Sequence, residues 1–246
     1  MARFHAKSVA HYIDEFDFSG DSNSLDIAID NNLGEATAFA DVDAVFLEGK
    51  AAWNATVNGF FNTSAYDAEM FADLTAVERR LAWYQDNTAG SFGMEGKSNP
   101  SAQARANVVA GSAGLNVDWR GTDPLFRSLL MQIDTALAAT ASSTKVQFGA
   151  VAATQTLVGV VRVLAAPGGS GNNDLDITIE SDANSGAGGE STRLTFTTID
   201  QTSVALFEVQ TAAGAVTDTW WRSVATVSGA GSRTFSIVVA MGIKPT

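Results

Sequence analysis

The chain has 246 residues, which is long for one domain and short for three, so one large or two modest domains are expected. Hydrophobic residues make up 46% of the sequence, enough for a packed core and too many for a disordered chain. The formal net charge of -12 favours solubility and argues against a protein that grips nucleic acid or an anionic membrane. Cysteine is absent, which excludes disulfides and thiolate metal sites.

The sequence shows no sign of export or of membrane insertion. Residues 1–7 lack the apolar run of a secretion signal. No apolar stretch approaches the roughly 20 residues that are needed to span a bilayer. We therefore expect a protein that folds in a cytoplasm and has no membrane partner.

The N-terminal region contains two predicted strands. Strict alternation of apolar and polar residues over 25–30 predicts a half-buried strand whose solvent face carries Asp26 and Asp30. A second strand is predicted at 53–61, and the connection at 31–52 is long, acidic and partly apolar. Loops of this length usually have a function or contact a partner. The candidate contact residues in this connection are Glu35, Thr37, Phe39, Asp41, Asp43, Phe46 and Leu47.

Two helices are predicted further along the chain. Apolar residues recur at helical spacing over 67–83. A second helix is expected at 122–139, where Thr122 can cap the first turn and Pro124 is tolerated within it. Between the helices, residues 84–106 are rich in glycine, serine and asparagine and predict another long connection.

The C-terminal part of the chain is predicted to consist almost entirely of β-strands. Strands are predicted at 157–164, 175–180, 194–197 and 235–241, separated by turns rich in glycine, serine and asparagine. This pattern predicts a sandwich or barrel. The small, polar run before it places a domain boundary at residue 145, which gives domains at 1–145 and 146–246. The fold class is therefore mainly β with minor α.

Residues 175–180 repeat the alternating pattern of residues 25–30. Two amphipathic strands can resemble each other by chance, and the alternative is a duplicated β-unit. The sequence leaves both interpretations open.

The chain contains no recognisable catalytic or metal-binding pattern. His5 and His11 are six residues apart, which suits neither a helical ligand pair nor a facing pair on a strand. A Gly-x-Ser-x-Gly nucleophile motif is absent. The acids at Asp17 and Asp21 do not reproduce the spacing of a calcium loop. We therefore expect no enzyme, no cofactor and no metal site.

Carboxylates and tryptophans offer two further possibilities. Asp26, Asp30, Asp176 and Glu180 are numerous enough for a glycosidase pair, but aromatic clusters typical of a sugar site do not flank them. Neighbouring residues on a strand point to opposite faces, so one residue of the pair Trp220-Trp221 should fill the core while the other is exposed. This favours packing or a subunit contact over a carbohydrate platform.

Several segments together carry a family resemblance. They are residues 13–21, the strand at 25–30, residues 35–39, the strand at 53–61 with its Gly59-Phe60, and residues 175–182, 192–196 and 216–222. In these segments the chain resembles the major tail tube proteins of long-tailed, siphovirus-type bacteriophages and related tail-like particles.

The resemblance implies a tail-tube-type β-sandwich or barrel with a flanking helix, followed here by a C-terminal β-sandwich. It implies a structural virion protein that is made in the host bacterial cytoplasm and self-assembles into stacked homohexameric rings. A trimer of duplicated units is the alternative. Other implied partners are the tape measure, terminator and distal tail proteins, with transient, non-specific passage of DNA through the lumen during ejection.

The resemblance also assigns roles to residues. Asp26 and Asp30 would line the channel, where carboxylates repel phosphates, and the connection at 31–52 would reach the next ring. The candidates for subunit contacts are Arg79, Arg80, Arg105, Arg120, Arg127, Trp220 and Trp221. A terminator ring, a decoration protein and a carbohydrate-binding β-sandwich module remain alternatives.

Overall fold

The computed structural model describes residues 9–20, 22–35, 46–60, 78–106, 114–166, 173–186, 188–202, 206–229 and 234–245. Within these ranges the regular elements are all β-strands, which confirms the prediction of a mainly β protein. The strands in the first half are β1 (Ala10–Ile13), β2 (Phe16–Asp17), β3 (Ser22–Glu35), β4 (Phe46–Phe60), β5 (Arg79–Tyr84), β6 (Phe92–Ala106), β7 (Gly114–Gly121) and β8 (Phe126–Leu137). The strands in the second half are β9 (Ala141–Ser142), β10 (Val146–Gln147), β11 (Gln155–Ala165), β12 (Asp174–Asp182), β13 (Ser191–Thr195), β14 (Ile199–Asp200), β15 (Leu206–Ala213), β16 (Trp220–Ser228) and β17 (Phe235–Pro245).

The prediction of a helix at 122–139 is wrong, because residues 126–137 form strand β8. Five consecutive residues of this strand, from Ser128 to Gln132, are buried. A strand that is buried on both faces is apolar at nearly every position, so it also contains the spacing of a helix.

The helix predicted at 67–83 has a mixed outcome. Its residues 67–77 lie outside the described residues. Residues 79–83 belong to strand β5, in which Arg80 and all four residues of Leu81–Tyr84 are buried. Leu81, Ala82 and Trp83 are buried on both faces of the strand, so the helix prediction is wrong over 79–83.

Both predicted long connections are shorter than expected. Strand β3 continues to Glu35 and β4 begins at Phe46, while residues 36–45 lie outside the described part of the chain. Strand β6 begins at Phe92, inside the connection predicted at 84–106. The sequence of β6 does not predict a strand, because its glycine, serine and proline residues are typical of turns.

The chain forms two compact units, and two of the four boundaries between them fall within β5 and β6. The first comprises Met1–Ser19, Leu81–Glu95 and Phe126–Thr246, and the second comprises Gly20–Arg80 and Gly96–Leu125. The division into domains at residue 145 stays a prediction.

The first unit contains two antiparallel sheets that share one core. One sheet has the order β15-β11-β17-β8-β6-β5-β1-β2, to which β6 and β5 contribute their residues within Leu81–Glu95, and the other has the order β10-β16-β12-β13. Val161 and Val163 of β11 belong to the same buried cluster as Ile177 and Ile179 of β12 and Trp221 of β16. The predicted alternation along β12 is confirmed, since its apolar residues are buried while Asp176 is exposed.

The second unit contains an antiparallel sheet with the order β3-β4-β7-β6, to which β6 contributes its residues from Gly96 onward. The register of β3 and β4 places Leu25 opposite Val57 and Ile29 opposite Trp53. Strand β7 pairs with the other edge of β4 and places Val117 opposite Val57. The two strands that were predicted in the N-terminal region are thus neighbours in one sheet.

Candidate functional site

The sheet of the second unit has one apolar face and one polar face. Trp53, Ala55 and Val57 of β4 are buried, and so are Val117 and Trp119 of β7. The residues between them point to the opposite side because side chains alternate along a strand. We call that opposite side the polar face.

Three side chains on the polar face form a hydrogen-bonded row across three strands. Asn58 pairs with Ser24 on one side and with Asn116 on the other. The Asn58 Nδ2 donates to Ser24 Oγ at 2.9 Å, and the Asn116 Nδ2 donates to Asn58 Oδ1 at 2.6 Å. The three side chains of this row are polar but uncharged, and they form hydrogen bonds with one another.

The next row of the polar face carries two carboxylates. Thr56 lies between Asp26 of β3 and Asp118 of β7 in the register of the sheet. The Thr56 hydroxyl donates to Asp118 Oδ1 at 2.7 Å, while Asp26 is exposed. The face therefore presents one tethered carboxylate and one that is open to solvent.

The third row of the polar face contains one basic residue, Arg120. Ala28, Asn54 and Arg120 are neighbours in the register, and all three are exposed. The described rows thus expose amides, hydroxyls, carboxylates and one guanidinium. Such a surface is hydrated and does not form the basic stripe that holds a phosphate backbone.

Trp53 anchors the apolar face. Its indole Nε1 donates to the backbone carbonyl of Asp123 at 2.7 Å. Two glycines make room for the ring, since a side chain on Gly96 or Gly121 would overlap it. The polar face therefore lies on a sheet whose reverse side is closely packed.

Strand β3 has a free edge among the described strands, because it pairs only with β4. Strand β6 pairs with β7 and also with β5 and β8. Each neighbouring pair in the order β3-β4-β7-β6 is antiparallel, so β3 and β6 run in opposite directions. Ile29 on β3 is 56% exposed although it belongs to the apolar side.

The structure places some of the predicted channel and inter-ring residues. Asp26 lies on the polar face as described above. Asp30, Glu35, Phe46 and Leu47 lie in β3 and β4, but their side chains are outside the described part of the structure. Four other residues of the predicted inter-ring connection lie wholly outside it, namely Thr37, Phe39, Asp41 and Asp43.

The predicted basic contact residues fall into different environments. Arg80 is buried and Arg79 is half-buried, which does not suit the surface role expected for Arg80. Arg120 and Arg127 are exposed. Arg105 lies in β6, and its side chain is outside the described set.

The tryptophan pair behaves as the alternation of a strand requires. Trp221 is fully buried and its Nε1 donates to the carbonyl of Gly149 at 2.8 Å. Trp220 is half-buried. Trp221 is therefore a core residue and cannot serve as a subunit contact or as a carbohydrate platform.

The C-terminal carboxylates form ion pairs. Arg222 contacts Glu180 at 2.7 Å and Glu190 at 3.0 Å, and Lys145 bonds to Asp182 and Glu190. The hydrogen bond from Lys145 holds the pKa of Asp182 below its usual range, and backbone donors do the same for Glu190. Asp182 and Glu190 are therefore unlike a general acid, whose pKa is raised.

The described side chains form no cluster of three or more histidine, cysteine or acidic residues that could hold a metal ion. Within the same residues, a helix with the length and hydropathy of a membrane span was not found.

Sequence reasoning missed the contribution of β7 to the polar face. Asn116, Asp118 and Arg120 alternate with apolar residues over 115–120, which is the same signal that identified the strand at 25–30. The hydrogen bond between Thr56 and Asp118 joins residues 62 positions apart. A single sequence contains no signal for that pairing.

Neither a protein-family profile nor a curated protein matches the sequence. Among solved structures, the chain is similar to a chain of the virion of a native gene transfer agent particle, with 11% identity and a TM-score of 0.41 over 50% of this chain and 97% of that chain. It is similar to the SPP1 tail tube, with 6% identity and a TM-score of 0.42 over 51% of this chain and 78% of that chain. A third similarity, to the SPP1 Dit protein, has 9% identity and a TM-score of 0.39 over 96% of this chain and 98% of that chain. At TM-scores this low, the similarities carry no conclusion about function.

Proposed function

We propose that this chain is a structural, non-enzymatic subunit of a phage-type tail, in which copies assemble into stacked rings around a channel for DNA. The observation that carries the proposal is the sheet of the second unit, which combines a polar face, an apolar face and a free edge of β3 among the described strands. The segment-by-segment resemblance to major tail tube proteins supports it, because residues 25–30 and 53–60 belong to two paired strands of that sheet.

The free edge of β3 suits a ring that is built from copies of this chain. A head-to-tail contact would place the β3 edge of one copy against another surface of the next copy. An exposed strand edge offers unpaired backbone groups to which a second chain can bind. Heterologous contacts of this kind generate closed rings when the rotation between copies closes. We propose that six copies form each ring and that the rings stack into a tube.

The chemistry of the polar face suits a channel through which DNA slides. Asp26 and Asp118 place carboxylates on that face, and the Ser24-Asn58-Asn116 row adds neutral polar groups. Phosphates are repelled by carboxylates and gain little from amides that already bond to one another. Arg120 alone would not offset this effect in a chain with a net charge of -12.

The remaining roles follow from the same proposal. The connection at 31–52, of which the structure describes residues 31–35 in β3 and 46–52 in β4, reaches the adjacent ring. The tape measure, terminator and distal tail proteins are the other partners, and the virion tail is the location.

The proposal is tested by the assembly state of the purified full-length chain. Sedimentation velocity and negative-stain microscopy should show rings or tubes as the protein concentration rises. A chain that stays monomeric at every concentration, also in the presence of its tail partners, contradicts the proposal.

A matched pair of variants locates the contact. Ile29→Lys places a charge on the exposed apolar residue of the β3 edge and should keep the protein monomeric without lowering its Tm. Ala28→Lys places the same charge on the exposed neighbouring residue of the polar face and should still assemble. Equal assembly of both variants would exclude the β3 edge as the contact.

A further inference from the structure

Arg127 lies against two stacked phenylalanines at the surface of the first unit. Its guanidinium carbon is 4.3 Å from the ring centre of Phe92 and 5.4 Å from that of Phe148. The two rings are nearly parallel, with centroids 5.9 Å apart. Met94, opposite Arg127 in the register, is 43% exposed. We call these four residues the Arg127 patch.

Arg127 differs from most of the described basic side chains. Ion pairs join Lys97 to Glu78, Lys145 to Asp182, Arg162 to Glu95, Arg193 to Asp218 and Arg222 to Glu180. Arg79, Arg80 and Lys244 have further interactions. Among the described side chains, this leaves Arg120 and Arg127 as exposed cations for which no ion pair is found.

The aromatic contact prepares Arg127 for binding a carboxylate. A guanidinium that stacks on aromatic rings keeps its N–H groups free to donate in its own plane. Because the rings restrict the side chain beforehand, less conformational entropy is lost when a partner binds. Arginine, methionine and aromatic residues are also enriched in protein interfaces relative to the rest of the surface.

We infer that the Arg127 patch is a contact site for a carboxylate on a second copy of this chain. Charge favours that occupant, because 27 acidic residues stand against 15 basic ones and copies with a net charge of -12 repel one another. A contact between such copies requires a cation at the interface, and Arg127 supplies one on a surface that also offers apolar area. This inference rests on the proposed self-assembly.

The experiment measures assembly of the full-length chain carrying Arg127→Glu, with Arg120→Glu as the matched control. Both variants change an exposed arginine by the same charge. Arg120 is a contact candidate from the sequence, but it lies on β7 between β4 and β6, on the polar face that lines the channel in the proposed ring. Arg127→Glu should raise the protein concentration needed for half-maximal assembly at least about tenfold, while Arg120→Glu should leave it nearly unchanged. Arg127→Lys, which keeps the charge but not the planar group, should give an intermediate value. Circular dichroism and Tm confirm that the variants are folded.

The outcomes separate this inference from the proposed function. A wild-type chain that never assembles overturns both. Normal assembly of Arg127→Glu, or an equal defect in Arg120→Glu, overturns the Arg127 contact and leaves the proposed function standing.

Discussion

Arg162 and Glu95 form an ion pair inside the first unit, with guanidinium Nη1 3.6 Å from carboxylate Oε1 and neither side chain more than 1% exposed. The Tyr84 hydroxyl donates to the same carboxylate oxygen. Arg162 Nε donates to the backbone carbonyl of Asp14 at 2.8 Å. One buried arginine on β11 thus connects β6 with the turn between β1 and β2.

Removing one partner of this pair should be costly. Arg162→Met keeps much of the side-chain volume but leaves the Glu95 carboxylate buried without its counter-charge. We expect a loss of about 3–5 kcal/mol in the free energy of unfolding, measured by chemical denaturation.

The double variant Arg162→Met/Glu95→Gln is the control for this prediction. It removes both charges, so it should be more stable than Arg162→Met alone. Additive losses in the double variant would show that the two charges do not interact.

Burial of His11 makes the folded state sensitive to acid. The ring stacks on Trp83 with centroids 6.1 Å apart. Desolvation, helped by the charge of Arg162, lowers the pKa of His11 from 6.5 to about 3. Between these two values the unfolded chain binds a proton that the folded chain does not bind. Stability therefore falls as the pH falls from 6.5 towards 3.

This linkage should contribute up to about 1.4 kcal/mol per pH unit to the slope of stability against pH. His11→Phe keeps an aromatic ring against Trp83 and removes the titrating group. Urea unfolding at pH 5 and pH 6, conditions chosen because most carboxylates are already ionised there, should show a shallower slope for the variant. Identical slopes for the two proteins would mean that His11 is not neutral and buried in the folded state.

Gly121 provides room for the indole of Trp53. A β-carbon at this position would overlap Trp53 Nε1 and the neighbouring ring atoms. Gly121→Ala must therefore displace the indole and weaken its hydrogen bond to Asp123. We expect a loss of about 1–3 kcal/mol for the overpacking and about 1 kcal/mol for the hydrogen bond.

Gly20→Ala is the matched control, because a β-carbon there meets no atom within 4 Å. Its effect should stay within about 0.5 kcal/mol. Unfolding followed by tryptophan fluorescence gives both values. Equal stability of the two variants would show that the indole can move at little cost.

The sequence predicted strands well where one face is wet or where β-branched residues dominate. The alternation at 25–30 and the valines of 157–164 identified parts of β3 and β11. The prediction of a helix at 122–139 failed because β8 is buried on both faces. Strand β6 was not predicted because Gly96, Ser98 and Pro100 are typical of a loop.

The candidate site was only partly predictable for a different reason. Local alternation was sufficient to place Asp26 on a solvent-facing surface. The polar face also requires that β7 lie beside β4, so that Asp118 and Arg120 join the rows. Strand pairing is decided by packing between distant segments, and no local pattern specifies it.

Asp26 offers a test of which surface lines the channel. Asp26→Lys changes each subunit by two charges on the polar face, where the residue is exposed. Tubes of the variant should retain linear double-stranded DNA at about 50 mM salt and release it as salt rises, while wild-type tubes should retain little. Co-sedimentation of labelled DNA with purified tubes measures this. Asp176→Lys, an equal charge change at an exposed position of β12, should behave like the wild type. Equal retention by both variants, or none by Asp26→Lys, would contradict a channel lined by the polar face.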